Sequence, residues 1–74
     1  MEDLSVRIGK RILLLRKAKG ISQEKLAYLA EIDRTYMTDL ELGRKNVSVH
    51  ILEKIVRALD TDLSKFFDEE MFRG

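Results

Sequence analysis

Apolar residues recur along this chain at the three- and four-residue spacing that is typical of helices. The longest such stretch covers residues 4–19, and Gly20 follows it where helices commonly end in a left-handed conformation. The pattern therefore predicts a first helix over residues 4–19. Its core-facing stripe is Leu4, Ile8, Ile12 and Leu15.

Four shorter helices follow, and each is preceded by a residue whose side chain can accept a hydrogen bond from a free backbone amide. Gly43 ends the third helix, and Asp60 follows the fourth at a position that suits a left-handed residue. Five helices joined by short turns predict one all-α domain, a compact five-helix bundle that covers residues 1–74. The four helices are predicted at about residues 23–30, 34–42, 49–59 and 63–70, behind Ser22, Asp33, Ser48 and Asp62.

The region from residue 22 to about residue 42 contains two short amphipathic segments that meet at a tight corner. The second segment leaves Arg34, Thr35, Thr38 and Asp39 on its outer side. Two short helices at a steep angle, the second with polar tips facing outward, form a helix-turn-helix. We interpret this region as a sequence-specific DNA-binding module. The inward-facing residues of the two segments are Leu26, Ala27, Ala30, Ile32, Met37 and Leu40.

The composition suits a small folded domain, with 74 residues of which 45% are hydrophobic and 36% are charged. A core of this size is marginally stable. The chain has no cysteine, so neither a disulfide nor a thiolate metal site can supplement the core. Self-association is the remaining means of stabilisation, and we therefore expect an oligomer.

The residue types that carry catalysis or bind metals do not form a recognisable pattern. His50 is the only histidine, and no Ser/His/Asp grouping, glycine-rich phosphate loop or spaced set of carboxylates accompanies it. We therefore expect no enzyme activity, no metal, no cofactor and no small-molecule ligand.

The formal net charge of +1 conceals an uneven distribution. Residues 1–58 carry twelve basic and eight acidic residues, a net charge of +4, whereas residues 59–74 have a net charge of −3. A basic body with an acidic end suits a protein that places one face on a polyanion. Ordinary charge scatter is the alternative.

No apolar run approaches the roughly 20 residues that a membrane span requires. The first residues, Met1-Glu-Asp, do not resemble a signal peptide. We expect a cytoplasmic protein without a membrane partner.

Several phrases of the sequence resemble the Cro/repressor-type (XRE-like) helix-turn-helix family, whose fold is the lambda-repressor-like bundle. They are Ile8–Ile12, Leu15–Ala27, Leu40–Gly43 and Ala58–Leu59. Within the family, residues 33–46 and 58–60 together with Phe66 and Phe67 are similar to restriction–modification controller proteins. One departure is Glu31, which occupies the corner where the family usually has glycine, so a slightly strained or a differently angled corner is expected there.

The resemblance implies that the third helix lies in the major groove of double-stranded DNA. Arg34 is the best candidate for reading bases, because a guanidinium can bond guanine O6 and N7 together. Thr35 and Thr38 could meet thymine methyls or phosphates, and Asp39 could accept from cytosine or restrain Arg34. For Arg34 a surface salt bridge is the alternative. The residues expected at the DNA backbone are Gln23, Tyr36, Arg44, Lys45 and Asn46.

Arg16 and Glu41 occupy the positions of a structural ion pair in the family, and the resemblance implies that they join the first and third helices. The C-terminal part of the chain has more apolar residues than one small core needs, which predicts the surface of a homodimer. The residues predicted for that surface are Ile51, Ile55, Leu59, Leu63, Phe67, Met71 and Phe72.

The predicted function is a transcription regulator, repressor or activator, that binds a palindromic operator as a homodimer. Autoregulation of a restriction–modification operon fits the narrower resemblance, with RNA polymerase as a candidate partner. A prophage-type repressor or an antitoxin-like regulator is the alternative within the same class. A protein-interaction module that binds no DNA is the alternative from another class.

Overall fold

The computed structural model describes residues 3–73, and all regular secondary structure in that range is helical. The described part of the chain contains no strand, and no helix in it is long and apolar enough to cross a membrane. The predicted all-α bundle is confirmed, and its first four helices have the expected bounds to within one residue. The helices are α1 (Leu4–Lys19), α2 (Gln23–Leu29), α3 (Arg34–Glu41), α4 (Val49–Ala58) and α5 (Leu63–Phe67), followed by a short 3₁₀ turn (Glu70–Phe72).

The predicted caps all form. Ser22 accepts a hydrogen bond from the amide of Lys25 at 3.0 Å, and Asp33 accepts from the amides of Thr35 and Tyr36. Ser48 and Asp62 cap α4 and α5 in the same way. These bonds satisfy amides that have no partner within their own helix. The capping residues of the local sequence therefore set where each helix begins.

The predicted fifth helix is too long, because α5 ends at Phe67 and not near residue 70. A continuing helix would bond the carbonyls of Lys65 and Phe66 to the amides of residues 69 and 70. Both carbonyls instead accept hydrogen bonds from the Arg11 side chain, at 3.1 and 2.9 Å. The chain therefore leaves the helix at Asp68 and makes a separate 3₁₀ turn.

All five helices contribute to one hydrophobic core. Ile55 is 0% exposed and Leu59 is 8% exposed, so both belong to the interior of the protomer. The prediction that these two residues lie in a dimer surface is therefore wrong, because they have no area left for a partner. The buried apolar residues are Ile8, Ile12, Leu26, Ala27, Ala30, Met37, Leu40, Leu52, Ile55, Val56, Leu59 and Phe66.

Gly9 allows the backbones of α1 and α3 to approach closely. A Cβ at this position would lie 2.3 Å from the carbonyl oxygen of Leu40 and 2.7 Å from that of Glu41. Any larger residue would push the two helices apart. The contact places the C-terminal end of α3 directly against α1 at Gly9.

The corner between α2 and α3 contains a residue in the left-handed conformation. It is Glu31, at the position where the family usually has glycine. Glu31 has a φ of 58°, and Asp60, after α4, has the same value. This conformation costs a side-chain-bearing residue about 1–2 kcal/mol. The strained corner expected at Glu31 is therefore present.

Candidate nucleic-acid interface

The outer face of α3 and the loop that follows it form one polar, partly basic surface. Arg34 and Thr35 are exposed on the first turn of α3, whereas Tyr36, Thr38 and Asp39 are half-buried. At about 100° per residue, positions 34, 35, 38 and 39 fall within about 140° of one another around the helix axis, so their side chains lie on the same side of α3.

The loop after α3 folds back onto this face. Lys45 Nζ lies 3.9 Å from the Asp39 carboxylate and 5.7 Å from the centre of the Tyr36 ring. Arg44 and Asn46 are exposed beside it, and Asn46 Oδ1 accepts a 2.7 Å hydrogen bond from the Ser5 hydroxyl of α1. The structure thus brings together the predicted base-reading residues of α3 and the predicted backbone-contacting residues of the loop.

The ion pair between Arg16 and Glu41 forms with two parallel hydrogen bonds. Arg16 Nε donates to Glu41 Oε2 at 2.7 Å, and Nη2 donates to Oε1 at 3.1 Å. The Arg16 and Glu41 side chains are only 13% and 5% exposed. Arg16 Nη1 also donates to the carbonyl of Ile21 at 3.0 Å, so one guanidinium joins α1, α3 and the start of α2.

Gln23 extends this network to the outer face of α3. Its Nε2 donates to Glu41 Oε1 at 3.1 Å, and its Oε1 accepts from the Thr38 hydroxyl at 2.7 Å. Both ends of the side-chain amide are therefore engaged inside the protein. A phosphate contact by Gln23, which stays a prediction, would require one of these hydrogen bonds to be exchanged.

Arg34 makes a salt bridge with Glu24 of α2, not with Asp39. Arg34 Nη1 lies 3.2 Å from Glu24 Oε2, and the two side chains are 65% and 73% exposed. Asp39 is paired with Lys45 instead, so the expectation that Asp39 restrains Arg34 is wrong. An exposed pair of this kind contributes about 0–1 kcal/mol, so Arg34 is held only weakly by Glu24.

Three residues that support this surface, and Arg11, which holds the C-terminal segment, were not identified from the sequence. Glu24, Ser5 and Arg11 contact residues that are at least ten positions away, and no local pattern indicates such pairs. Gly9 did carry a signal, because an isolated glycine inside a helical pattern usually has a packing reason.

The C-terminal surface predicted for a dimer is partly apolar and partly accessible. Phe67 is 36% exposed, and Leu63, Met71, Phe72 and Ile51 are half-buried. The Phe67 ring lies 5.0 Å from the ring of the buried Phe66 and 4.9 Å from that of Phe72, measured between centres. The aromatic cluster thus runs from the core to the surface.

Comparison with known families identifies the class of protein that this fold defines. The helix-turn-helix family model matches residues 12–66, which include α2, α3 and the surface described above. The chain therefore belongs to the helix-turn-helix family. The predicted class, a Cro/repressor-type regulator, is confirmed.

Several individual relatives of the chain are restriction–modification controller proteins. It is 41% identical over 70 residues to the control protein C.MunI of Mycoplasma sp, and the match covers 93% of this chain and 95% of that protein. The crystal structure of the controller protein C.AhdI from Aeromonas hydrophila aligns with a TM-score of 0.82 at 43% identity, covering 85% of this chain and 96% of that one. C.Esp1396I, in a structure described as a nucleoprotein complex, aligns with a TM-score of 0.84 at 32% identity over 92% of this chain and 88% of that one.

Proposed function

We propose that this protein is a transcription regulator that binds a palindromic DNA operator as a homodimer and controls a restriction–modification operon, including its own gene. The observation that carries the proposal is the accessible polar face of α3, held in place by the buried Arg16–Glu41 pair. Its regulatory role follows from the similarity to controller proteins. The proposed activity is binding, with no chemical step.

In the proposed complex, α3 lies in the major groove with its first turn against the base edges. Arg34 leaves Glu24 and forms two hydrogen bonds to guanine, while Thr35 and Thr38 contact neighbouring bases or phosphates. Tyr36, Arg44, Lys45 and Asn46 contact the DNA backbone, which positions the protein without reading sequence. Gln23 also contacts the DNA backbone in the proposed complex.

The homodimer follows from the need for two reading helices. One protomer offers one α3, and two half-sites about 34 Å apart on a palindrome require a second copy. The accessible apolar surface at the C-terminal end offers an interface away from α3. Its proposed residues are Leu63, Phe67, Met71, Phe72 and Ile51.

Selection of binding sites from random DNA, followed by a salt titration, tests the DNA-binding proposal. We expect one palindromic motif to be enriched. We also expect the logarithm of the binding constant to fall linearly with the logarithm of the salt concentration. Arg34→Ala should cost roughly 1–3 kcal/mol and relax one base position in each half-site, because it removes a base contact. The matched control Lys45→Ala should weaken all sites alike. No enriched motif and no salt dependence would refute the proposal.

The genes beside this one test the operon assignment. A neighbouring restriction endonuclease or methyltransferase gene whose promoter contains the selected motif supports the controller role. A motif found only in prophage or toxin promoters would instead favour the repressor or antitoxin-like alternative. RNA polymerase is the proposed partner at the promoter, and its recruitment is measured by transcription from the same operator.

A further inference from the structure

Arg11 of α1 holds the C-terminal segment of the chain through several contacts. Its Nε and Nη2 donate to the carbonyls of Phe66 and Lys65 at 2.9 and 3.1 Å, and its Nη1 donates to Glu69 Oε1 at 2.9 Å. The guanidinium carbon also lies 5.9 Å from the centre of the Phe66 ring. The Arg11 side chain is 14% exposed, whereas that of its partner Glu69 is 45% exposed, so water competes less at the guanidinium than at the carboxylate.

Arg7 supports the same segment one helical turn earlier. Its Nη1 donates to the carbonyl of Met71 at 3.2 Å, and residues four positions apart share one face of a helix. Arg7 Nε is buried without a hydrogen-bond partner, so this arginine is the weaker of the two attachments. One face of α1 therefore holds backbone from residue 65 to residue 71.

The segment depends on these contacts for its shape. It consists of the five-residue α5 and a three-residue 3₁₀ turn that has no side-chain cap. Helices this short are not stable alone, because nucleation fixes several residues for few hydrogen bonds. The segment also carries most of the accessible apolar residues of the proposed dimer surface, namely Leu63, Phe67, Met71 and Phe72.

We propose that Arg11 is a positioning residue for homodimer formation. Its guanidinium holds residues 65–69 in the shape that a second copy of this chain binds, so that association does not have to order the segment first. This inference rests on the homodimer of the proposed function. It adds a specific role for a residue of α1 that does not itself belong to the proposed interface.

The expected effect of losing Arg11 is a weaker dimer. If two side chains of the segment must be ordered on association, the dissociation constant of the dimer should rise by about tenfold. Arg11→Met removes the three hydrogen bonds and keeps most of the aliphatic stem. Lys17→Met is the matched control, because Lys17 is exposed on the same helix and lies about 240° around it from Arg11.

Analytical ultracentrifugation of the full chain without DNA measures the dissociation constant, and circular dichroism measures the helical signal. We expect Arg11→Met to keep its helical signal and to dimerise about tenfold more weakly, while Lys17→Met behaves as wild type. Arg11→Lys retains the charge but can reach fewer acceptors, and should weaken the dimer severalfold. A wild-type constant in folded Arg11→Met overturns the proposal. Loss of the helical signal in both Arg11 variants also overturns it, because Arg11 would then be required for the fold itself.

Binding to the selected operator separates a positioning role from damage to the helix-turn-helix. The Arg11→Met isotherm should shift to higher protein concentration, become steeper and reach the wild-type plateau, because mass action restores the dimer. An isotherm that stays below that plateau counts against the proposal. A wild-type protein that remains monomeric at tens of micromolar would instead refute the homodimer of the proposed function.

Discussion

Glu41 is a residue on which three side-chain hydrogen bonds behind α3 converge. Its two carboxylate oxygens accept from Arg16 of α1 and from Gln23 of α2, and Gln23 in turn accepts from Thr38. The orientation of a side chain predicted to face DNA therefore depends on a carboxylate that does not face it.

Glu41→Ala should destabilise the domain by roughly 3–5 kcal/mol, because it leaves the buried Arg16 guanidinium without its partner. Urea unfolding followed by circular dichroism measures this loss. The control is Glu53→Ala, which removes the partner of Arg57 in an exposed pair on α4 and should cost at most about 1 kcal/mol. Equal losses in the two variants would show that the buried pair has no special role.

At the scale of the elements, the corner between α2 and α3 combines tight packing with local strain. Ile32, directly after Glu31, packs against the core, and its amide donates to the carbonyl of Ala27 at 3.0 Å. The left-handed conformation of Glu31 is thus imposed by the packing on both sides of the corner, not by the residue itself.

Glu31→Gly should stabilise the domain by about 0.5–1 kcal/mol. Glycine removes the steric cost of the left-handed conformation but loses more conformational freedom on folding, and the first effect is larger. Thermal unfolding should show a transition a few degrees higher. Glu31→Ala, which retains the strain, should show no such increase, and an increase of the same size in both variants would assign the gain to the lost carboxylate.

The elements also show which features of the fold sequence reasoning can reach. The helix starts were predictable because Ser22 and Asp33 act on amides two or three positions away. The end of α5 was not predictable, because the carbonyls near its end accept hydrogen bonds from Arg11, some 55 positions earlier in the chain. A periodic apolar stripe on α4 does not distinguish core from interface, and for that reason sequence reasoning places Ile55 on the wrong surface.

The candidate site divides along the same line. The polar face of α3 could be read from helical spacing, and the Arg16–Glu41 pair from the family resemblance. The partner of Arg34 could not, because Glu24 reaches it across the corner between two helices. The angle of that corner is a property of the packed molecule and has no signature in the sequence nearby.

At the scale of the whole molecule, the proposed self-association would add to stability. Among residues 3–73 the core contains twelve buried apolar residues, which is small, and the aromatic cluster that extends from it to the surface leaves Phe67 36% exposed. Covering this cluster with a second copy would enlarge the apolar interior of each protomer.

The melting temperature should therefore rise with protein concentration. For a folded dimer and an unfolded monomer, a hundredfold increase in concentration should raise it by roughly 5–10 °C. Differential scanning calorimetry measures this dependence. Phe67→Lys should abolish it while keeping the helical signal, and a concentration-independent wild type would contradict the prediction.

Two of the arginines of α1 that hold other parts of the chain, Arg11 and Arg16, have a geometric consequence. Arg11 is bound to the C-terminal segment and Arg16 to the end of α3, and the two are five residues apart, about 7.5 Å along the helix axis. In the proposed dimer α1 would act as a rigid spacer between the two-fold axis and each reading helix. An operator with one base pair inserted at its centre could not be accommodated by the protein, and the DNA would have to bend or twist to restore the phase of its two halves.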